Sequence, residues 1–136
     1  MNARERVKQY TRYSDGGYHR SGIVDENNCC VRTLALALKL SYDKAYSICQ
    51  EAGRKHGDGF WMYRIINLLR KEYQINTYKS GMTVNKLIQM QNLGRYIVVI
   101  DQHTFPVLDG YIYDIGDIAP RSRIIRLWQV HLANPR

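Results

Sequence analysis

The chain has 136 residues, with 20 Lys and Arg against 12 Asp and Glu, a net charge of +8 and a sequence pI near 9.5. That length suffices for one domain with a real core, without disulfides or metals to hold it together. Three cysteines, two of them adjacent and none in a C-x-x-C pair, match neither an even disulfide framework nor the ligand spacing of closed zinc sites, so a reducing cytosolic setting is expected.

The opening MNARERVKQY is charged and has no apolar h-region. No later stretch approaches the roughly 18 uncharged apolar residues of a membrane span, so a soluble, unexported, cytoplasmic protein with no membrane partner is expected. No repeat, low-complexity block or Pro-rich linker divides the chain. Residues 1–136 therefore read as a single domain, with 1–21 as an N-terminal basic arm or extension. From residue 28 to about 71 the pattern is helical, and from 95 onward β-branched and aromatic residues dominate in short runs. Helices first and strands later predict an α+β fold, with N-terminal helices packed on a C-terminal antiparallel sheet.

In chain order, a first helix starts at the polar run 25–28, where Asn27 or Asn28 can cap the free N–H groups of its first turn. Its apolar stripe is Val31, Leu34, Ala35 and Leu38. At about 100° per residue Cys30 flanks the stripe, while Cys29 lies nearly opposite it, beside Arg32 and Thr33. A second helix runs from Ser41 through Asp43, Ala45, Ile48 and Cys49 to a stop at Gly53, with Cys49 as core filler. A third carries Trp61, Ile65, Leu68 and Leu69, a strand covers 74–78, and Thr83 caps a short fourth helix ending at Gly94.

The stretch RYIVVIDQHTFPVLDGYIYD, residues 95–114, carries most information. Residues 96–100 form a continuous apolar strand, and Asp109-Gly110 is a type I′ turn signal. With those two as the loop, Leu108 faces Tyr111, Phe105 faces Asp114, and His103 lies two places further along on the same face. The Cβ atoms of His103 and Asp114 would then be about 7 to 8 Å apart, a gap the two side chains can close. Asp101 and Asp117 are rival orienting groups for that histidine. Pro106 removes a ladder donor and marks its strand as an edge or an irregular one. His19, His56 and His131 read as surface or structural residues. In a last strand over 122–130, the arginines are expected to alternate outward against Ile124, Trp128 and Val130.

These pieces add up to thiol chemistry. A cysteine in the first turn of a helix meets aligned dipoles and free N–H groups that favour negative charge on sulfur. An imidazole can take and return its proton, and a carboxylate can fix that imidazole's tautomer. Cys29 is the candidate nucleophile, His103 the base and Asp114 the orienter. First-turn N–H groups, with the amide of Asn27 or Asn28, can hold an oxyanion.

The segment 27–35, Asn-Asn-Cys-Cys-Val-Arg-Thr-Leu-Ala, resembles the N-D-C-x-x-R-A-L-A segment of small papain-like cysteine peptidases found in bacteriophages. Gly94-Arg95-Tyr96, His103, Asp109-Gly110 and Asp114 are similar to that group's G-R-Y, H and D-G-x-x-x-D pattern; Ala52, Gly53, Arg54, Lys55 and Thr83 fit as well. The likeness spans about residues 22–130, with Asn28 where the group usually has aspartate. It implies a papain-like fold, a Cys29-His103-Asp114 triad working through a thioester acyl-enzyme, no cofactor or metal, and a peptide or protein substrate in a host cytoplasm.

The positive charge leaves other readings open. Arg4, Arg6, Lys8 and Arg12, with Arg121, Arg123 and Arg126, can form a nucleic-acid face aided by some of the eleven tyrosines, or can steer an acidic protein substrate. The alternatives are a catalytically inactive basic module binding nucleic acid or a host protein, and an acyltransferase using the same thiol.

Overall fold

A computed structural model describes residues 1–78 and 81–132. Its elements are α1 (Ala3–Gln9), β1 (Thr11–Tyr13), a 3-10 turn (Tyr18–Arg20), α2 (Cys29–Leu38), α3 (Tyr42–Glu51), α4 (Met62–Leu69), β2 (Gln74–Tyr78), α5 (Val84–Met90), β3 (Arg95–Ile100), β4 (His103–Leu108), β5 (Tyr111–Asp114) and β6 (Arg126–His131). The architecture is α+β, with one six-stranded sheet in the order β1-β5-β4-β3-β6-β2.

The helices start where the sequence places their caps. Ser41 Oγ accepts from the Lys44 amide at α3, and Thr83 Oγ1 from the Lys86 amide at α5. The stripe Val31, Leu34, Ala35 and Leu38 of α2 is buried throughout. It meets α3, α4 and the Ile97, Trp128 and Val130 side chains of the sheet. The opposite sheet face, through Tyr96, Val98, Phe105, Val107 and Ile112, packs on Val7 of α1 and on Val84, Leu87 and Ile88 of α5. Helices thus cover both faces, which is why β3 reads as an unbroken apolar run rather than an alternating one.

Several expectations are corrected. The sheet is mixed rather than purely antiparallel, because β1 pairs parallel to β5, with Thr11, Arg12 and Tyr13 opposite Ile112, Tyr113 and Asp114. The basic N-terminal segment is part of the sheet and of the core. Pro106 sits in an interior strand, paired opposite Ile97, and the β4–β5 ladder stops beside it at Val107. With no N–H at Pro106 that ladder has no donor to continue, and β1 takes up the rest of β5. The fourth sequence helix ends at Met90, where Gln91 adopts left-handed φ, rather than at Gly94. The last strand begins at Arg126. Residues before it instead serve α5, since the Val84 and Asn85 amides bond the Ser122 and Pro120 carbonyls. From that register Arg126 shares a face with Trp128 and Val130, not the opposite one.

Candidate active site

Cys29 is the first residue of α2 and only half-buried, whereas Cys30 and Cys49 are fully buried. A hydrogen bond shared with Cys30, together with burial, pushes the Cys49 thiol up and keeps it protonated. Asn28 occupies the N-cap position, but no side chain caps the helix. Its Nδ2 donates to the Tyr42 hydroxyl and its Oδ1 accepts from Arg32 Nε, both at 3.0 Å. Asn27, at φ 50°, donates its side-chain amide to the Gly57 carbonyl. Both asparagine side chains therefore brace the loop, and among the described residues no side chain accepts from the first-turn N–H groups of α2.

That loop is anchored by a fully buried ion pair. Arg54 reaches both carboxylate oxygens of Asp25 at 2.9 and 3.1 Å, and Tyr42 and the Gly57 amide also donate to that carboxylate. Burial alone would raise Asp25, but the guanidinium, the amide and the phenol outweigh it and hold the group below the usual carboxylate range.

The hairpin has the register that the Asp109-Gly110 turn implies. Both loop residues have positive φ, 49° and 87°, and Leu108 faces Tyr111. His103 opens β4, Asp114 closes β5, and His103 Nε2 lies 2.5 Å from Asp114 Oδ2. Cys29 lines the same cavity as this ring and lies near enough that its sulfur helps to raise the imidazole. With Nε2 engaged by the carboxylate, Nδ1 is the nitrogen left for sulfur. The Asp114 hydrogen bond first and the Cys29 contact second raise the imidazole to about 9 against the opposing effect of burial. Burial would raise Asp114, but the His103 hydrogen bond and charge, the Ile115 amide and the Arg32 charge hold it low. Asp114, rather than Asp101 or Asp117, is the carboxylate on the ring. His19 does have a carboxylate partner, Asp15 at 2.5 Å, but that exposed pair holds no thiol. His56 contacts the Tyr46 hydroxyl and lies 3.8 Å from Asp25 Oδ1, and His131 contacts Asn76.

Sequence reasoning missed three contributors. Arg32, 8 % exposed, spans from Asn28 Oδ1 to Asp114 Oδ1 at 3.2 Å, tying the helix tip to the end of the hairpin. Its place on the Cys29 side of α2 was the available signal. The N-terminal segment is the second: the Ser14 amide bonds the Asp114 carbonyl, and Gly16 at φ 65° lies so near the Arg32 carbonyl that a Cβ would sit 2.9 Å from it. Nothing local announces that long-range pairing. The third is a cavity of about 560 Å³ lined by Cys29 and His103 together with Phe60, Trp61, Tyr63, Val99, Ile125 and Arg126. A separate hollow of about 520 Å³ near Lys39, Arg95 and Tyr113 contains no triad residue.

Comparison with known proteins gives no match: no family model fits the chain, and no curated protein or solved structure matches it significantly. Among the described residues, no helix is long and apolar enough to cross a membrane.

Proposed function

We propose that this protein is a papain-like cysteine hydrolase, a peptidase or isopeptidase acting on a peptide or protein segment in a reducing cytoplasm. The observation that carries the reading is one imidazole ring held by the Asp114 carboxylate and sharing a cavity with the thiol at a helix N-terminus. His103 is the base that takes the proton of the Cys29 thiol. Its sulfur attacks the scissile carbonyl carbon, and the resulting oxyanion takes hydrogen bonds from the uncapped first-turn N–H groups. The asparagines keep that turn in place. His103 then passes its proton to the leaving nitrogen, the C–N bond breaks, and a thioester remains. Water, losing its proton to His103, attacks the thioester, the C–S bond breaks, and acid and thiol are released. The aromatic wall of the cavity suits an apolar substrate side chain next to the reacting carbonyl.

The test is turnover of a quenched-fluorescent peptide library, with rapid acid quenching and intact-mass analysis. We expect cleavage, a thioester adduct on Cys29, and loss of both in Cys29→Ala. Cleavage that survives Cys29→Ala, or no cleavage and no adduct with any peptide, contradicts the proposal.

A further inference from the structure

The cavity wall next to the triad carries a cation that the proposed chemistry does not use. Arg126 lines the same hollow as Cys29 and His103, is exposed, and stacks its guanidinium carbon 5.4 Å from the Tyr63 ring centroid. Among the described residues it forms no ion pair. Its in-plane N–H donors are left for a planar acceptor, which is the geometry that pairs with a carboxylate.

The sheet register gives the spacing. Thr104, next to the catalytic histidine, pairs with Val99, and Val99 pairs with Arg126. Arg126 is therefore two strand spacings from that point, about 10 Å. An extended peptide advances about 3.3 Å per residue, so about three residues cover the distance. Between the two ends lies Val99, and Phe60 and Ile125 line the same hollow. The opposing charge on the lining is Asp101, in the turn that joins β3 to β4.

We infer that Arg126 is a specificity residue reading an acidic side chain of the substrate, about two to three residues from the scissile carbonyl, with an apolar side chain between them. The inference rests on the hydrolase reading, and its test is built on binding so that the two can fail separately. The protein's net charge of +8 attracts any acidic peptide at long range, so the discriminating quantity is dependence on position and on Arg126.

The probes are fluorescein-labelled Gly/Ser decapeptides with one central leucine and a single Glu, Gln or Lys scanned along the chain, titrated by anisotropy onto the full-length Cys29→Ala protein. At one favoured position Glu should bind about fivefold more tightly than Gln, the scale of a partly exposed ion pair, and the difference should shrink with added salt. Arg126→Gln should erase that difference and Arg126→Glu should turn it in favour of Lys, while Arg4→Glu, on α1, should leave it unchanged. A Glu preference that survives Arg126→Glu, a preference equal at all positions, or no binding by any peptide overturns the inference. Absence of cleavage by the wild type together with the expected binding pattern would instead reject the hydrolase reading and leave the acidic-side-chain site in place.

Discussion

Removing the Arg32 side chain should uncouple the helix tip from the hairpin without touching the thiol. The guanidinium makes two buried bonds, 3.0 Å to Asn28 Oδ1 and 3.2 Å to Asp114 Oδ1. Hydrogen bonds to charged groups contribute about 1.5–3 kcal/mol each. Asp114 keeps the His103 ring and the Ile115 amide after the loss, so the full penalty of a stranded buried charge does not apply. Arg32→Met, whose chain fills most of the same space, should then cost about 3 kcal/mol of unfolding free energy, and Arg32→Lys about half of that. Urea denaturation of Arg32→Met, Asp114→Asn and the double variant closes a thermodynamic cycle, in which a coupling of about 1–3 kcal/mol is expected. Catalysis should follow the same order, with kcat falling, KM little changed, and Arg32→Lys partly restoring kcat. The guanidinium also helps to hold Asp114 low, so its removal raises the pH at which that carboxylate protonates and acid unfolding should begin at a higher pH. Additive costs, within about 0.5 kcal/mol, with an unchanged kcat would refute the bridging role.

The remaining expectations concern the ring, the thiols and the loop anchor. His103 is raised from 6.5 to about 9, so its contribution to stability is complete below pH 6.5 and is lost as pH rises through about 9. The alkaline limb of kcat/KM should accordingly lie near pH 9 and move to lower pH in Asp114→Asn; a limb that Asp114→Asn leaves in place argues against that carboxylate as the cause. Cys29→Ala should end turnover at nearly native stability. Cys30→Ser, which puts a more strongly hydrated hydroxyl into a fully buried place beside the Cys49 thiol, should retain turnover and lose about 1–2 kcal/mol by urea unfolding. If Cys30→Ser is the variant that ends turnover, the nucleophile has been misassigned. Asp25→Asn strands the buried Arg54 charge and should cost about 3–5 kcal/mol, a loss visible in the urea midpoint; a change under about 1 kcal/mol would contradict the anchoring role.

Much of the site was legible because its encoding is local. The turn residues Asp109 and Gly110 set the hairpin register, and a period-2 count from them brings His103 to Asp114. The helical period separated Cys29 from the apolar stripe Val31, Leu34, Ala35 and Leu38, although its neighbours Arg32 and Thr33 are buried too, against the hairpin. What the reading missed is nonlocal or polar. Asn28 had the composition of a cap, yet a buried guanidinium and a phenol outcompeted the backbone for its side chain. Residues 1–21 looked like a solvated arm because their charges hide one buried Val7 and a three-residue strand that only the free edge of β5 can pair. The expectation that the arginines over 122–130 face outward overlooks that Arg126 has the parity of Trp128 and Val130; the β6 register puts it on their face, toward the cavity.

The central claim is that sulfur and imidazole share one proton, and the dependence of Cys29 alkylation on His103 tests it most directly. Cys30 and Cys49 are shielded by burial in any case, so mild iodoacetamide treatment followed by peptide mass mapping reads Cys29 alone. We expect labelling of the wild type that stays fast at weakly acidic pH and falls at least tenfold in His103→Ala. Equal rates in the two proteins across that range would mean the ring does not activate the thiol.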